Sequence, residues 1–303
     1  MKRVAVLGST GMLGSTLTKY LGKSNHQVIE FNREGSPVNI ENQAYKFDAS
    51  KDFNNQVFYQ NINLDFVINC IGQIKQKINS DSVESIQYAE TINGEFPRVL
   101  ENFCNENKIK VIQIGTDCVF SGDRGNYSEA DKFDAKDVYG KTKINGERNS
   151  PSAMTLRCSI IGFEQKGSFS LFNWLISQPK NATVLGYKNH LWNGLTTLQF
   201  AKVVSGIIDD DLFESSVFHL IPEDYVSKYE LLTKIVSYFN RGDITIVPVE
   251  NEKSVDRRLT TQKEVENLRL WRSAKYEKPP TISFMLEEFT DFLKENRIGS
   301  NEH

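Results

Sequence analysis

Short apolar runs alternate with amphipathic stretches through the first half of the chain. Arg3–Leu7 (RVAVL), Gln27–Phe31 (QVIEF), Ala44–Phe47, Phe66–Cys70 (FVINC) and Val111–Gly115 (VIQIG) read as buried strands. Met12–Leu21 and a long stretch from about Val83 to Asn107 repeat apolar residues at helical spacing. Another helix begins near Asp137, and Met154–Arg157 reads as a further strand. Strands that alternate with helices require right-handed crossovers, which gives a parallel sheet covered on both faces. After residue 160 the alternation weakens. Ser168–Ser177, Thr197–Ile208, Tyr229–Asn240 and Ile282–Asn296 read as helices, and Ser216–Ile221 as a strand. There is no internal repeat, low-complexity tract or Gly/Ser linker. The pattern predicts an α/β chain, a doubly wound parallel sheet with a smaller C-terminal lobe on its strand ends.

Composition narrows the function classes. The 303 residues are 39% hydrophobic and 25% charged with a net charge of −3, so charge gives no case for a nucleic-acid or membrane partner. Cys70, Cys104, Cys118 and Cys158 show no CxxC spacing, which argues against a disulfide framework or a zinc site. His26, His190, His219 and His303 are isolated, so no metal site is expected. The apolar run after Lys2-Arg3 is too short for a signal peptide, and none approaches the roughly 18 residues of a membrane span. A cytoplasmic location is the expectation.

The segment VAVLGSTGMLG places Gly8, Gly11 and Gly14 directly after a strand and at the start of a helix. This is the Rossmann-type turn, in which glycine lets a pyrophosphate approach the backbone and the helix N-terminus faces the phosphates. Thr10, Met12 and Leu13 complete the turn. An NAD site usually carries an acid at the end of the second strand, but this chain has Asn32 and then Arg33. Arg33 suits a 2′-phosphate, so NADP(H) is the expected cofactor and NAD(H) the alternative. Asp48 is placed at the adenine, and Cys70, Ile71 and Gly72 beneath the dinucleotide.

Tyr139 and Lys143, in YGKTK, share one face of a helix. An ammonium beside a phenol favours the phenolate, so the lysine is expected to lower the tyrosine pKa for proton transfer. Thr116, just past the fifth strand in GTDCVF, adds a hydroxyl able to polarise a carbonyl. Thr116, Tyr139 and Lys143 are the candidate catalytic set.

GSTGMLG, FVINCIG, GTDCVFSG, YGKTKINGE and MTLRCSIIG together resemble the extended short-chain dehydrogenase/reductase superfamily, most closely the dTDP-4-dehydrorhamnose reductases. The likeness covers about the first 160 residues. It implies an NADP-binding Rossmann domain of residues 1–160 plus about 192–222, and a substrate lobe of about 161–191 and 223–303. It implies hydride transfer to C4 of a nucleotide-linked 4-keto-6-deoxy sugar. Thr116 would then orient the keto oxygen, Tyr139 donate the proton and Lys143 bind the nicotinamide ribose. Gln73, Lys75, Asp117, Cys118, His190, Trp192, Asn193 and Arg257 are assigned to the nucleotide sugar, and a homodimer is implied.

The chain departs from the family where it reads TDCVF in place of TDYVF, at Ile160, where an aromatic is usual, and in KNHLWNGLTT. Cys118 stands two residues beyond Thr116, as in epimerase–reductases similar to GDP-fucose synthase, with His190 as the candidate partner. The same cysteine argues against a dehydratase, and Asn32 against a UDP-hexose 4-epimerase. A non-catalytic dinucleotide-binding regulatory subunit is the reading from outside the enzymes.

Overall fold

The run Arg3–Leu7 forms the central strand β1, with Val4 to Leu7 fully buried between helices. The protein is described here by a computed structural model that places residues 1–52, 63–147, 153–296 and 298; His303 lies outside the described residues. Strand β1 leads through a glycine turn into α1 (Met12–Leu21). Next come β2 (Gln27–Asn32), β3 (Gln43–Lys46), β4 (Phe66–Asn69), α2 (Val83–Glu90), α3 (Phe96–Glu106), β5 (Lys110–Thr116), α4 (Val138–Gly146) and β6 (Ala153–Cys158). The second half contributes β7 (Ile160–Ile161), α5 (Leu171–Ile176), β8 (Thr183–Tyr187), β9 (His190–Trp192), β10 (Leu195–Thr196), α6 (Thr197–Asp209) and β11 (Val217–His219). It ends with β12 (Val226–Ser227), α7 (Lys228–Tyr238), β13 (Thr245–Val249), β14 (Val255–Asp256), α8 (Glu264–Ser273) and α9 (Ile282–Glu295).

Among the described residues seven strands make one parallel sheet in the order β3-β2-β1-β4-β5-β6-β11. The order reverses at β1, so the crevice beyond the C-terminal ends of β1 and β4 is the ligand position of a doubly wound fold. Smaller sheets (β8 with β13, β9 with β12 and β14, β7 with β10) build the region above those strand ends. Among the described residues no helix is long and apolar enough to cross a membrane.

The long helix expected over 83–107 is two helices joined by a wide π-helical turn, Thr91–Glu95. Pro97 has no N–H to give the Asn93 carbonyl four residues earlier, so that carbonyl is released from the helix ladder. Helix α4 docks there. A side chain at Gly146 would drive its Cβ into the Asn93 carbonyl oxygen. The helix expected over 168–177 begins only at Leu171, where Ser170 caps it; just upstream, Gly167 holds φ at +93°. Helix α8 and the small sheets escaped the sequence reading; most strands of those sheets are only two or three residues long, too short to show a period.

Below α4, Arg157 on β6 is almost wholly buried and pairs with the equally buried Glu147 at the end of that helix. Its other nitrogen meets His219 Nε2 on β11 at 2.5 Å. His219 Nδ1 lies 2.7 Å from the Thr260 carbonyl oxygen, so Nδ1 carries the hydrogen and Nε2 accepts from the guanidinium. Glu129 accepts from the backbone of His219 and Gln262 and from the Thr261 hydroxyl. Helix α4, the sheet edge and the 255–262 segment are thereby tied together.

Two predictions test this frame. Gly146→Ala overpacks the contact with Asn93 and should cost about 1–3 kcal/mol in denaturant melts. Gly242→Ala, with nothing within 4 Å of the added methyl, should be close to neutral. Burial first, then the Arg157 charge, pushes the His219 pKa down to about 4. As pH falls from the unfolded value near 6.5 toward that folded value, the unfolded chain binds the extra proton. The native state then loses up to about 1.4 kcal/mol per pH unit. His219→Gln should flatten that part of the stability–pH curve relative to wild type; an unchanged slope refutes the assignment.

Candidate active site

The glycine turn fits a dinucleotide. Gly8 sits at φ +76° with its N–H on the Phe31 carbonyl at 2.8 Å, so the chain reverses tightly against β2. Gly14 packs on the Gly8 carbonyl with no room for a Cβ. Gly11 caps α1 without a side-chain hydrogen bond, and no acid lies in the first turn. The Met12 and Leu13 end of the helix therefore presents N–H groups and positive potential to an anion. Cys70 and Ile71 back onto Gly8, and Gly72 faces the Asn93 side chain.

At the adenosine end, Asn32 serves differently from the direct contact expected. Its amide donates to Ser9 Oγ and the Ser36 carbonyl, and accepts from the N–H groups of Glu34 and Gly35. Three of these bonds shape the 33–36 loop and the fourth ties Asn32 to Ser9 in the glycine turn, while Arg33 is exposed. Burial raises the pKa of Asp48, but hydrogen bonds from Ser50 and the charges of Lys51 and Arg33 bring it below the ordinary value.

Thr116 ends β5 and Tyr139 stands in the first turn of α4, which Asp137 caps by accepting from the Gly140 N–H. The Thr116 hydroxyl hydrogen-bonds the Tyr139 phenol. It also accepts from the Cys118 N–H at 3.2 Å and lies 3.3 Å from an Asp117 oxygen. Lys143, buried one turn further on, donates to the Ile114 carbonyl at 3.3 Å. The expected lowering of the Tyr139 pKa is not found here. Burial raises it, the charges of Cys118, Asp117 and Asp137 add to the rise, and only the Thr116 bond opposes them. The Lys143 ammonium is aimed at a backbone carbonyl, and burial lowers its own pKa while Glu147 and Cys118 raise it. Tyr139 thus keeps its proton at neutral pH.

Arg257 faces this cluster from the C-terminal half of the chain. It reaches from the segment after β14 to the Phe120 carbonyl at 3.0 Å, and its charge acts on Asp117, Cys118, Asp137 and His190. Burial raises the Asp117 carboxyl and pushes the Cys118 thiol up to about 12. Lys75 pairs with Asp137 at 2.8 Å, and the Gln73 N–H donates to Asn93. Trp192 donates its indole N–H to Ser159 Oγ at 2.9 Å, and Ser159 hydrogen-bonds Asp117. His190 packs on Tyr187 and bonds the Lys253 carbonyl. Asn193, expected at the sugar, instead places both ends of its amide on the Leu259 backbone.

Sequence reasoning missed Asn93, which bridges Gln73 and Thr142, and the Glu147–Arg157–His219 axis. Pro97, four residues past Asn93, was a readable signal for the first. The axis had none, because its members are far apart in sequence.

Comparison with known proteins agrees with this geometry. The model of a family described as the RmlD substrate binding domain matches residues 1–288. A probable low-salt glycan biosynthesis reductase of Haloferax volcanii is 24% identical, over 83% of this chain and 85% of that protein. The methionine adenosyltransferase 2 subunit beta of Danio rerio is 23% identical over 83% and 78%. A dTDP-4-dehydrorhamnose reductase of Bacillus anthracis, solved in complex with NADP, superposes with a TM-score of 0.75 at 20% identity over 97% and 99% of the two chains. The chain belongs to the RmlD substrate binding domain family, the dTDP-4-dehydrorhamnose reductase branch of the extended short-chain dehydrogenases.

Proposed function

We propose that this protein reduces the 4-keto group of a nucleotide-linked 4-keto-6-deoxy sugar with NADPH, as a step in making a glycan precursor. One observation carries the reading. A protonated tyrosine, its hydrogen-bonded threonine and a buried lysine gather at the end of β5, two strands along the sheet from the strand that leads into the glycine turn that suits a dinucleotide. Arg33 supports NADPH over NADH, and the neighbour solved with NADP supports it further.

A bound nicotinamide supplies the hydride. Thr116 donates a hydrogen bond to the keto oxygen and fixes it against Tyr139. The Tyr139 O–H gives its proton to that oxygen as negative charge builds there. A high phenol pKa suits this direction, because the acid stays loaded at neutral pH and its acceptor, an alkoxide, is far more basic. Lys143 holds the ribose hydroxyls and offsets the phenolate left behind. Arg257 pairs with the diphosphate, Trp192 presents a ring fixed through Ser159, and Lys75 lies at the rim of the same opening.

A regulatory role is the competing reading, favoured by the likeness to a methionine adenosyltransferase subunit. The complete and mutually placed Thr116, Tyr139 and Lys143 favour catalysis. Epimerisation through Cys118 is disfavoured because burial pushes its thiol pKa up to about 12, so it stays protonated at neutral pH.

Tyr139→Phe should lower kcat by about 10²–10⁴ with NADPH binding retained. Wild-type kcat in this variant ends the assignment. Arg257→Ala should raise KM for the sugar nucleotide by roughly tenfold or more, the loss of one charge-assisted contact. The Kd for NADPH should stay within twofold; an equal loss for both ligands would place Arg257 elsewhere.

A further inference from the structure

The loop between β7 and α5, residues 162–170, makes contacts that its place in the sequence does not suggest. Lys166 pairs with Glu34, in the loop that follows β2. Three residues on, the Phe169 ring lies 4.7 Å from Lys77 Nζ, in the segment that follows β4. β2 and β4 are the two neighbours of β1, and β1 leads into the glycine turn. A loop that touches the segments beyond both neighbours must pass in front of that turn, across the mouth of the dinucleotide crevice.

The loop has a defined internal structure. The buried Asn173 accepts from the Glu164 N–H and donates to the carbonyls of Glu164 and Gly167. The Glu164 carboxylate in turn accepts from the N–H groups of Phe169 and Ser170 at 2.7 and 2.9 Å. Lys166 is thus carried at the tip of a braced loop. The end of β2 beneath it is braced too, because Asn32 fixes the N–H groups of Glu34 and Gly35.

This inference rests on the NADPH reading above. We propose that Lys166, reaching over from the far side of the crevice, forms the 2′-phosphate site together with Arg33. Glu34 acts as the internal competitor for the same ammonium. The end of the second strand is where the adenosine ribose lies in this fold, and Lys166 reaches the loop that carries Arg33. The Lys166–Glu34 pair is open to water, with side chains 66% and 52% exposed, and such pairs hold weakly. A 2′-phosphate brings about −1.5 to −2 charges to the one of a carboxylate, and three acceptor oxygens. It therefore displaces Glu34 from Lys166, and the loop closes over NADPH by exchanging one anion for another. NADH has only a hydroxyl there and cannot make the exchange.

The test is equilibrium binding of NADPH and of NADH to the full chain without sugar nucleotide, followed by cofactor fluorescence, with 2′,5′-ADP as a competitor. Lys166→Met should weaken NADPH and 2′,5′-ADP by roughly ten- to a hundredfold and leave NADH within twofold. Lys166→Arg should keep the preference, and Glu34→Gln should tighten NADPH severalfold by removing the competitor. An unchanged thermal melt in each variant establishes that the loop change is local. If wild type prefers NADPH and Lys166→Met keeps the same NADPH-to-NADH ratio, the Lys166 site is wrong while the NADPH reading stands. If wild type binds both cofactors equally, the NADPH reading fails and this inference with it.

Discussion

The buried pair between Glu147 and Arg157 is the constraint on which the site depends. Two charges this deep are costly to desolvate, and removing one partner of such a pair typically costs about 3–5 kcal/mol. Here the cost is met by saturating the guanidinium: a carboxylate on one side, His219 on the other, and the rings of Phe120 and Phe133 near its face. The consequence is positional. Glu147 ends the helix that carries Tyr139 and Lys143, while His219 and Glu129 hold the segment that follows Arg257. Tyr139 and Arg257, the proposed proton donor and diphosphate contact, are therefore braced from one buried anchor.

That anchoring explains the protonation states around it. Helix α4 is pressed onto Asn93 at one end and capped by Asp137 at the other, which sinks Tyr139 and Lys143 against the end of β5. Sinking a phenol raises its pKa and sinking an ammonium lowers its own. Both shifts disfavour the charged form, the phenolate and the ammonium alike. Cys118 and Asp117 shift the same way and for the same reason. A tyrosine that keeps its proton suits the reduction proposed above.

Much of this was legible in the sequence. The strand–helix alternation predicted the parallel sheet, and the glycine turn placed its crevice, because each depends on short-range pattern. Thr116, Tyr139 and Lys143 were chosen as a candidate set by type and spacing, and the structure sets Thr116 beside Tyr139. The sign of the Tyr139 shift was misjudged because helical spacing puts a lysine near a tyrosine but cannot show that its ammonium points at Ile114. Asn32 and Asn193 looked like ligand contacts, yet their amides hold loops. A polar side chain next to a site serves backbone or ligand according to a loop shape that no local motif encodes. The Arg157 axis and the Lys166–Glu34 pair join residues 62 and 132 positions apart, and only the folded chain brings them together.

The central claim is that hydride passes to C4 of a nucleotide-linked keto-sugar at the Thr116–Tyr139–Lys143 site. It is tested most directly by supplying NADPH deuterated at the nicotinamide C4, in each of the two stereochemical forms, with dTDP-, UDP-, GDP- and CDP-linked 4-keto-6-deoxy sugars. The account predicts that one deuterated form delivers a single deuterium to sugar C4 of at least one product, seen by NMR and mass spectrometry, and that Tyr139→Phe slows the transfer by about 10²–10⁴. Product without deuterium at C4 from either form, or no NADPH consumption with any of these sugars, would contradict it.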